Sequence, residues 1–152
     1  MSSVSSFNRA EINLAALKSN FHTVKKQVNG RIMGVVKGDA YGHGLAECAR
    51  ALSSVRCSRL GAGDLDEALA VQAAGVSARV YILSGIQGSA QCLRAVEAGL
   101  TTFAYRLEQL HDLSKAAKQL DKKALVMLKM DTGMGRLGFP FREAETIFPK
   151  VA

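Results

Sequence analysis

Short apolar runs alternate with amphipathic segments along the whole chain, and this alternation limits the possible folds more than any other feature. The apolar runs predict five strands, at 32–36, 59–63, 79–83, 101–105 and 124–128. Between them, apolar residues recur three or four positions apart, as Leu14, Leu17 and Phe21 do before the first strand, which is the periodicity of a helix facing a core. The order αβαβαβαβαβα predicts an α/β fold whose strands run parallel and are joined by helices.

Two architectures fit this alternation, a doubly wound open sheet and a (β/α)8 barrel. A closed barrel has eight strands and takes roughly 250 residues. This chain has 152 residues and five predicted strands, and its length is that of one complete small domain. In both architectures the functional side chains lie in the loops at the carboxyl ends of the strands, so those loops are where chemistry is expected.

Composition indicates a globular protein and excludes several classes of function. Hydrophobic residues make up 48% of the sequence and charged residues 22%, which is enough for a packed core. The net charge of +7 is scattered, with Lys18, Lys25 and Lys26 on the polar side of a predicted helix, so we expect no nucleic-acid partner. No apolar run reaches the roughly 18 residues of a membrane span, and the N-terminus has no signal-peptide pattern. We therefore expect a cytoplasmic protein without a membrane partner.

Cysteine and histidine spacing predicts neither a disulfide framework nor a metal site. The three cysteines, Cys48, Cys57 and Cys92, are odd in number and form no C-x-x-C pair. The three histidines have no short-spaced partner of the kind that zinc sites use. Reduced thiols are therefore expected, with Cys48 in the core on the apolar side of its helix.

The loop after the first predicted strand reads Lys37-Gly38-Asp39-Ala40-Tyr41-Gly42-His43-Gly44. A lysine at the end of a buried strand can point into a partly dry pocket, where desolvation favours the neutral amine that forms a Schiff base. The alternative is a lysine whose amine simply reaches solvent. The two glycines around His43 let backbone N–H groups and the Tyr41 hydroxyl approach a ligand closely, which favours the functional interpretation.

The loop after the fifth predicted strand reads Lys129-Met130-Asp131-Thr132-Gly133-Met134-Gly135-Arg136-Leu137-Gly138-Phe139. Its glycines match the G-x-G-x-x-G pattern of dinucleotide sites. That motif belongs after the first strand and opens directly into a helix, whereas Pro140 interrupts this one. We therefore interpret it as a flexible loop that presents Arg136, whose planar guanidinium suits a carboxylate, phosphate or phenolate. Lys129 would repel Arg136 unless a negative charge neutralises the pair.

Both loops resemble signatures of one enzyme family. Residues 35–44 resemble the cofactor-lysine motif of alanine racemases, and residues 129–138 resemble their second signature. The resemblance extends from about Arg9 to Phe148, with Gly38 standing where the family usually has alanine. It implies an N-terminal (β/α)8 TIM barrel that holds pyridoxal 5′-phosphate (PLP), followed by a β-rich C-terminal domain, in a homodimer. On this interpretation residues 1–152 are the N-terminal part of the barrel, truncated to about five strands.

The resemblance also implies roles for four residues. Lys37 would attach the cofactor covalently and serve as one of two acid/bases, and Tyr41 would help to hold the cofactor phosphate. Arg136 would contact the phenolic oxygen of the cofactor and the carboxylate of the substrate alanine. Lys129 would be carbamylated, which would turn its repulsion of Arg136 into an ion pair. The family's second base is a tyrosine from the C-terminal domain of the partner subunit, so no residue of this chain is expected to fill that role.

The expected function is alanine racemisation, the interconversion of L- and D-alanine that supplies cell-wall precursor, with this chain alone expected to be inactive. Related barrels leave alternatives open: a broad-specificity racemase, a basic-amino-acid decarboxylase, or a non-catalytic PLP-binding barrel protein. The tail from Tyr41 to Gly44 and the signature from Lys129 to Arg136 favour alanine racemase over the decarboxylases. The single-domain binding proteins lack that tail. A fragment without any activity is a further alternative.

Overall fold

The computed structural model describes residues 10–150. One helix precedes five strands that alternate with helices, and two short strands and several helical turns follow. The helices are α1 Leu14–Gln27, α2 Lys37–Gly42, α3 Leu45–Ser54, α4 Leu65–Ala73, α5 Gly88–Glu97, α6 Leu107–Leu120 and α7 Ala144–Ile147. The strands are β1 Gly34–Val35, β2 Arg59–Ala62, β3 Arg79–Ile82, β4 Thr101–Ala104, β5 Leu125–Leu128, β6 Met130–Asp131 and β7 Phe139–Pro140. Single 3-10 turns at Phe141–Glu143 and Phe148–Lys150 flank α7.

Strands β1 to β5 form one parallel sheet in which each strand pairs with its neighbours in sequence. A doubly wound sheet reverses its strand order part-way, whereas a (β/α)8 barrel adds each strand beside the last. The observed order β1-β2-β3-β4-β5 is therefore that of a barrel segment. The predicted fold class is confirmed: the described residues form alternating βα units of a TIM barrel, truncated to a five-stranded sheet.

Helices cover one face of this sheet, and the opposite face is exposed at its edge strands. Leu60, Val80 and Ile82 point toward the helices and are buried in one core cluster with side chains of α3 to α6. Side chains alternate between the two faces of a strand, so Leu125 and Met127 of β5 lie on a single face. They are 37% and 46% exposed. The exposed face is the one that would line the interior of a barrel.

The five predicted strands and the helices between them are present and differ from the prediction mainly at their ends, whereas α2, β6 and β7 are additional elements within the predicted loops. The first strand shortens from 32–36 to Gly34–Val35, since only these two residues pair with β2 as strand. Serine is a favoured N-cap residue, so the sequence predicts Ser89 as the cap of α5. That prediction is wrong, because the helix begins at Gly88 and its N-cap is Gln87. The helix expected near the C-terminus divides into the 3-10 turn Phe141–Glu143 and the short α7.

The three cysteines are buried and free. Cys48 is only 4% exposed, which confirms its predicted place in the core. Burial raises the pKa of the Cys92 thiol to about 11 and raises that of Cys48 as well. Within residues 10–150, no group of three or more His, Cys, Asp or Glu side chains could hold a metal ion. None of the helices in that range is long and apolar enough to span a membrane.

Replacing Leu60 by alanine should destabilise the chain far more than the same change at Leu125. Leu60 is 0% exposed between sheet and helices, so Leu60→Ala should leave a cavity and cost about 3 kcal/mol. Leu125 lies on the exposed face, so Leu125→Ala should cost roughly 1 kcal/mol or less. Urea denaturation followed by circular dichroism measures both losses. Equal losses of stability would contradict a sheet in which helices cover one face while the other face is exposed at β5.

Candidate functional site

The candidate site lies at the carboxyl end of the five-stranded sheet, where the loops after β1 and β5 begin. Lys37 follows the last ladder bond of β1, which the Val36 N–H donates to the carbonyl of Gly61 at 2.8 Å. Lys129 directly follows β5 and itself makes the last ladder bond of that strand, which its N–H donates to the carbonyl of Ala104 at 2.9 Å. The two lysines therefore leave the same end of the sheet at its opposite edges, with β2, β3 and β4 between them.

Lys37 opens a left-handed turn, α2, which the sequence pattern does not predict. Gly38, Asp39, Ala40 and Tyr41 have φ values of 63°, 53°, 53° and 57°, all in the left-handed region. This conformation costs an L-residue about 1–2 kcal/mol, so the three residues other than glycine are strained. Bonds from the surrounding structure must offset that strain.

Hydrogen bonds within the loop hold the turn closed. The Asp39 carboxylate accepts the N–H of Leu45 at 2.7 Å and so also satisfies a donor at the start of α3. His43 Nδ1 lies 2.9 Å from the Ala40 carbonyl, which places the ring proton on Nδ1 because a carbonyl can only accept. The turn buries Ala40 at 7% exposure and leaves Tyr41 64% exposed.

The loop after β5 is closed at its base and carries Arg136 in its exposed part. β6 and β7 pair with each other, and the Phe139 N–H donates to the Lys129 carbonyl at 2.8 Å. Gly138 has a φ of 143° and passes so close to Asp131 that a Cβ there would collide with the Asp131 backbone nitrogen. Glycine is required at this position for both reasons.

Asp131 organises the same loop from within. Its Oδ1 accepts the N–H of Gly133 at 3.0 Å and that of Gly135 at 3.1 Å. These bonds stabilise the ionised carboxylate and, with the nearby charge of Lys129, lower the pKa of Asp131. The glycines of this loop led us to expect a flexible loop. The Asp131 carboxylate instead holds it in a defined shape. The Asp-x-Gly spacing, a common turn signal, could have identified this role.

The four predicted site residues lie in two loops of the structure, two residues in each loop. Lys37 and Tyr41 lie in the loop after β1, and Lys129 and Arg136 lie in the loop after β5. Lys37, Tyr41 and Arg136 are exposed, whereas Lys129 is half-buried. Within residues 10–150, no hydrogen bond or ion pair joins Lys129 to Arg136, and none connects the two loops.

Two side chains that the sequence reasoning missed connect neighbouring loops at this end of the sheet. Gln109 donates from its amide to the Ile86 carbonyl at 2.8 Å and accepts the N–H of Tyr105 at 2.9 Å. Glu67 accepts N–H bonds from the loops after both β1 and β2. Each is the third residue of its helix, Glu67 in α4 and Gln109 in α6.

The sequence signal for Glu67 is the pattern Asp64-x-x-Glu67, which predicts a capping box. Half of that prediction holds, because the Asp64 carboxylate accepts the Glu67 N–H at 2.9 Å. The Glu67 carboxylate, however, turns to the Gly63 N–H and to the loop after β1. The pattern therefore indicates where a helix begins but not which distant backbone its glutamate binds.

Known proteins that are similar to this chain show which family it belongs to. Residues 12–152 match the family described as "Alanine racemase, N-terminal domain". The chain belongs to this family. An alanine racemase from Syntrophobacter fumaroxidans is 39% identical over 137 residues, which cover 89% of this chain and 36% of that relative.

Solved alanine racemase structures share the fold. The alanine racemase from Streptomyces coelicolor A3(2) has a TM-score of 0.82 and 37% identity, over 88% of this chain and 36% of that one. The enzyme from Bartonella henselae, titled as having covalently bound pyridoxal phosphate, has a TM-score of 0.81 over 92% of this chain and 40% of that one. Its identity of 24% makes that likeness one of fold. This chain thus spans 36–40% of the length of these three racemases.

Lowering the pH should break the hydrogen bonds between Asp131 and the loop after β5 only below 3.8, the ordinary pKa of aspartate. Because hydrogen bonds lower the pKa of Asp131 in the folded chain, the bonded loop persists above the unfolded-state value and is lost as pH falls through the folded value. The amide NMR signals of Gly133 and Gly135 should follow that transition, and Asp131→Asn should remove it. A midpoint at or above 3.8 would contradict the hydrogen-bonded carboxylate.

Proposed function

We propose that this chain supplies the N-terminal barrel portion of a PLP-dependent alanine racemase, an isomerase that interconverts L- and D-alanine. The observation that carries the proposal is the position of two motif-bearing loops at one end of one parallel sheet, within the region that matches the family. We expect the enzyme to act as a cytoplasmic homodimer that supplies D-alanine for cell-wall precursor. In that enzyme, further barrel strands and a β-rich C-terminal domain would complete residues 1–152.

The exposed side chains at this end of the sheet suit the chemical groups of PLP. Lys37 offers a primary amine to the aldehyde, Tyr41 a hydroxyl to the phosphate, and Arg136 a guanidinium to the phenolic oxygen. Within residues 10–150, no hydrogen bond engages the Lys37 amine, the Tyr41 hydroxyl or the Arg136 guanidinium. All three groups are therefore available to a ligand, and the donor set fits the cofactor.

The proposed chemistry is removal and return of the α-proton of alanine. When bound, PLP supplies a conjugated ring that accepts the electron pair left on the α-carbon. Lys37 would hold the cofactor before substrate binds, and its Nζ, freed once the amine of alanine takes its place, would accept or return the proton on one face of that carbon. Arg136 binds the phenolic oxygen and the alanine carboxylate, which orients the α-carbon. Carbamylation of Lys129 would replace its repulsion of Arg136 by an ion pair.

Racemisation also needs a base on the opposite face of the α-carbon, and the tyrosines of this chain offer no free candidate. Tyr81 and Tyr105 are buried at 4% and 8% exposure. The Tyr105 hydroxyl donates to the Ser84 carbonyl at 3.0 Å. Tyr41 leaves the same loop as Lys37 and is assigned to the phosphate. The family resemblance implies that the second base is a tyrosine of the partner subunit, and the tyrosines of this chain are consistent with that assignment.

Borohydride reduction in the presence of PLP should fix the cofactor on Lys37. Peptide mapping by mass spectrometry locates the adduct, and Lys37→Ala should abolish it because the bonding amine is gone. Lys115→Ala removes an exposed lysine of α6 and is the matched control, which should leave the adduct intact. An unmodified Lys37 would overturn the cofactor assignment.

The chain alone should not racemise alanine, since a single base exchanges the α-proton on one face only. An oxidase-coupled assay for D-alanine measures this directly. Racemisation of alanine by the chain alone would contradict the assignment of the second base to a partner subunit. The same assay on the enzyme completed with its C-terminal part, offered other L-amino acids beside alanine, separates an alanine racemase from a broad-specificity racemase.

A further inference from the structure

Three backbone N–H groups converge on the carboxylate of Glu67. Its Oε1 accepts from Gly38 at 2.6 Å and from Asp39 at 3.3 Å, and its Oε2 accepts from Gly63 at 2.8 Å. Gly38 and Asp39 directly follow Lys37 in the loop after β1, whereas Gly63 directly follows β2. One side chain of α4 therefore ties two neighbouring loops of the candidate site together.

This tie acts on the strained left-handed turn. The other hydrogen bonds of the turn are local, such as that from the Ala40 N–H to the Val36 carbonyl at 2.8 Å. Local bonds keep the turn closed but do not position it against the next strand. Within residues 10–150, Glu67 is the side chain that hydrogen-bonds the backbone of this turn to the loop of another strand.

The tie also reaches the neighbourhood of the Lys37 side chain. A Cβ built on Gly63 would lie 3.4 Å from Lys37 Cβ and 3.0 Å from Glu67 Oε2. The lysine stem and the carboxylate therefore flank the same point of the loop after β2. No ion pair joins Lys37 to Glu67 in the part of the chain that the structure describes. Glu67 thus acts on Lys37 through the backbone and not by direct charge pairing.

A carboxylate matches this position better than an amide does. Three N–H donors face Glu67, and both oxygens of an ionised carboxylate accept hydrogen bonds. A glutamine has one accepting oxygen, and its NH2 group would face an N–H that it cannot bind. Glu67→Gln is therefore expected to keep the shape and lose one side of the tie.

We propose that Glu67 is a positioning residue for Lys37. Its carboxylate clamps the left-handed turn to the loop after β2 and so fixes where the Lys37 amine leaves the sheet. For the chemistry of Lys37 this inference rests on the proposed function, whereas the clamp itself can be measured without cofactor.

The test compares Glu67→Gln with Asp66→Asn in the same chain. Asp66 is the preceding residue of α4, and its carboxylate pairs with Arg94, so the control removes an equal charge from the same helical turn. NMR measures hydrogen exchange of the Gly38 and Gly63 amides and the nuclear Overhauser effect (NOE) between the Lys37 β-protons and the Gly63 α-protons. The initial rate of borohydride-trapped PLP attachment to Lys37 is measured in parallel, and urea denaturation records global stability.

Glu67→Gln should speed the exchange of whichever of the Gly38 and Gly63 amides loses its acceptor by about tenfold or more, the effect of losing a hydrogen bond to a charged group. It should weaken the NOE and slow PLP attachment, while Asp66→Asn changes none of these. If Glu67→Gln does not fold, Gly63→Ala serves instead, because its Cβ crowds both Glu67 Oε2 and Lys37 Cβ. Gly63→Ala should then weaken the NOE to the α-proton of residue 63 and slow attachment.

The outcomes separate this inference from the proposed function. If Glu67→Gln changes neither the exchange of the Gly38 and Gly63 amides nor the NOE, the clamp is overturned, whatever the cofactor does. A weakened NOE with an unchanged attachment rate would overturn its role in positioning Lys37. If the unsubstituted chain takes up no PLP at Lys37, the proposed function fails, and the exchange and NOE data still decide whether Glu67 holds the lysine.

Discussion

Parallel hydrogen-bond ladders join each strand from β1 to β5 to the next strand in sequence, and the position of every functional side chain depends on them. Parallel pairing brings all five carboxyl ends to one end of the sheet, so Lys37 and Lys129 emerge there although they are distant in sequence. The same pairing places the connecting helices over one face. That face buries Leu60 and Ile82, while Leu125 on the other face remains exposed.

Polar side chains near the starts of the helices then connect the loops at that end. Each helix begins close to the loop before it, so its third residue lies within reach of a neighbouring loop. Glu67 and Gln109 use this position to bind backbone groups across two loops, and Asp131 binds backbone groups within one. The Lys37 side chain and the Arg136 side chain take no part in these connections and are exposed.

In the proposed enzyme the chemistry would be divided between this chain and the rest of the assembly. Under the proposed function, the chain would supply the Lys37 amine to attach the cofactor and the Arg136 guanidinium to orient the substrate. Lys37 is exposed in this structure, so the surrounding walls that exclude water would have to come from further barrel strands and from the partner subunit. The exposed face of β5 and the proposed second base on the partner are consistent with that division.

The sequence by itself determined the order of the five strands of the main sheet and the helices between them, the core position of Cys48 and the loops in which Lys37, Tyr41, Lys129 and Arg136 lie. Periodicity, caps and motif spacing are local properties, so they can be read without knowing which segments meet. Only the tertiary structure decided between a barrel segment and a doubly wound sheet, because strand order is a matter of long-range pairing. It also decided the left-handed turn after Lys37 and the hydrogen bond between Gly38 and Glu67, which lie 29 residues apart in sequence and are joined only by folding.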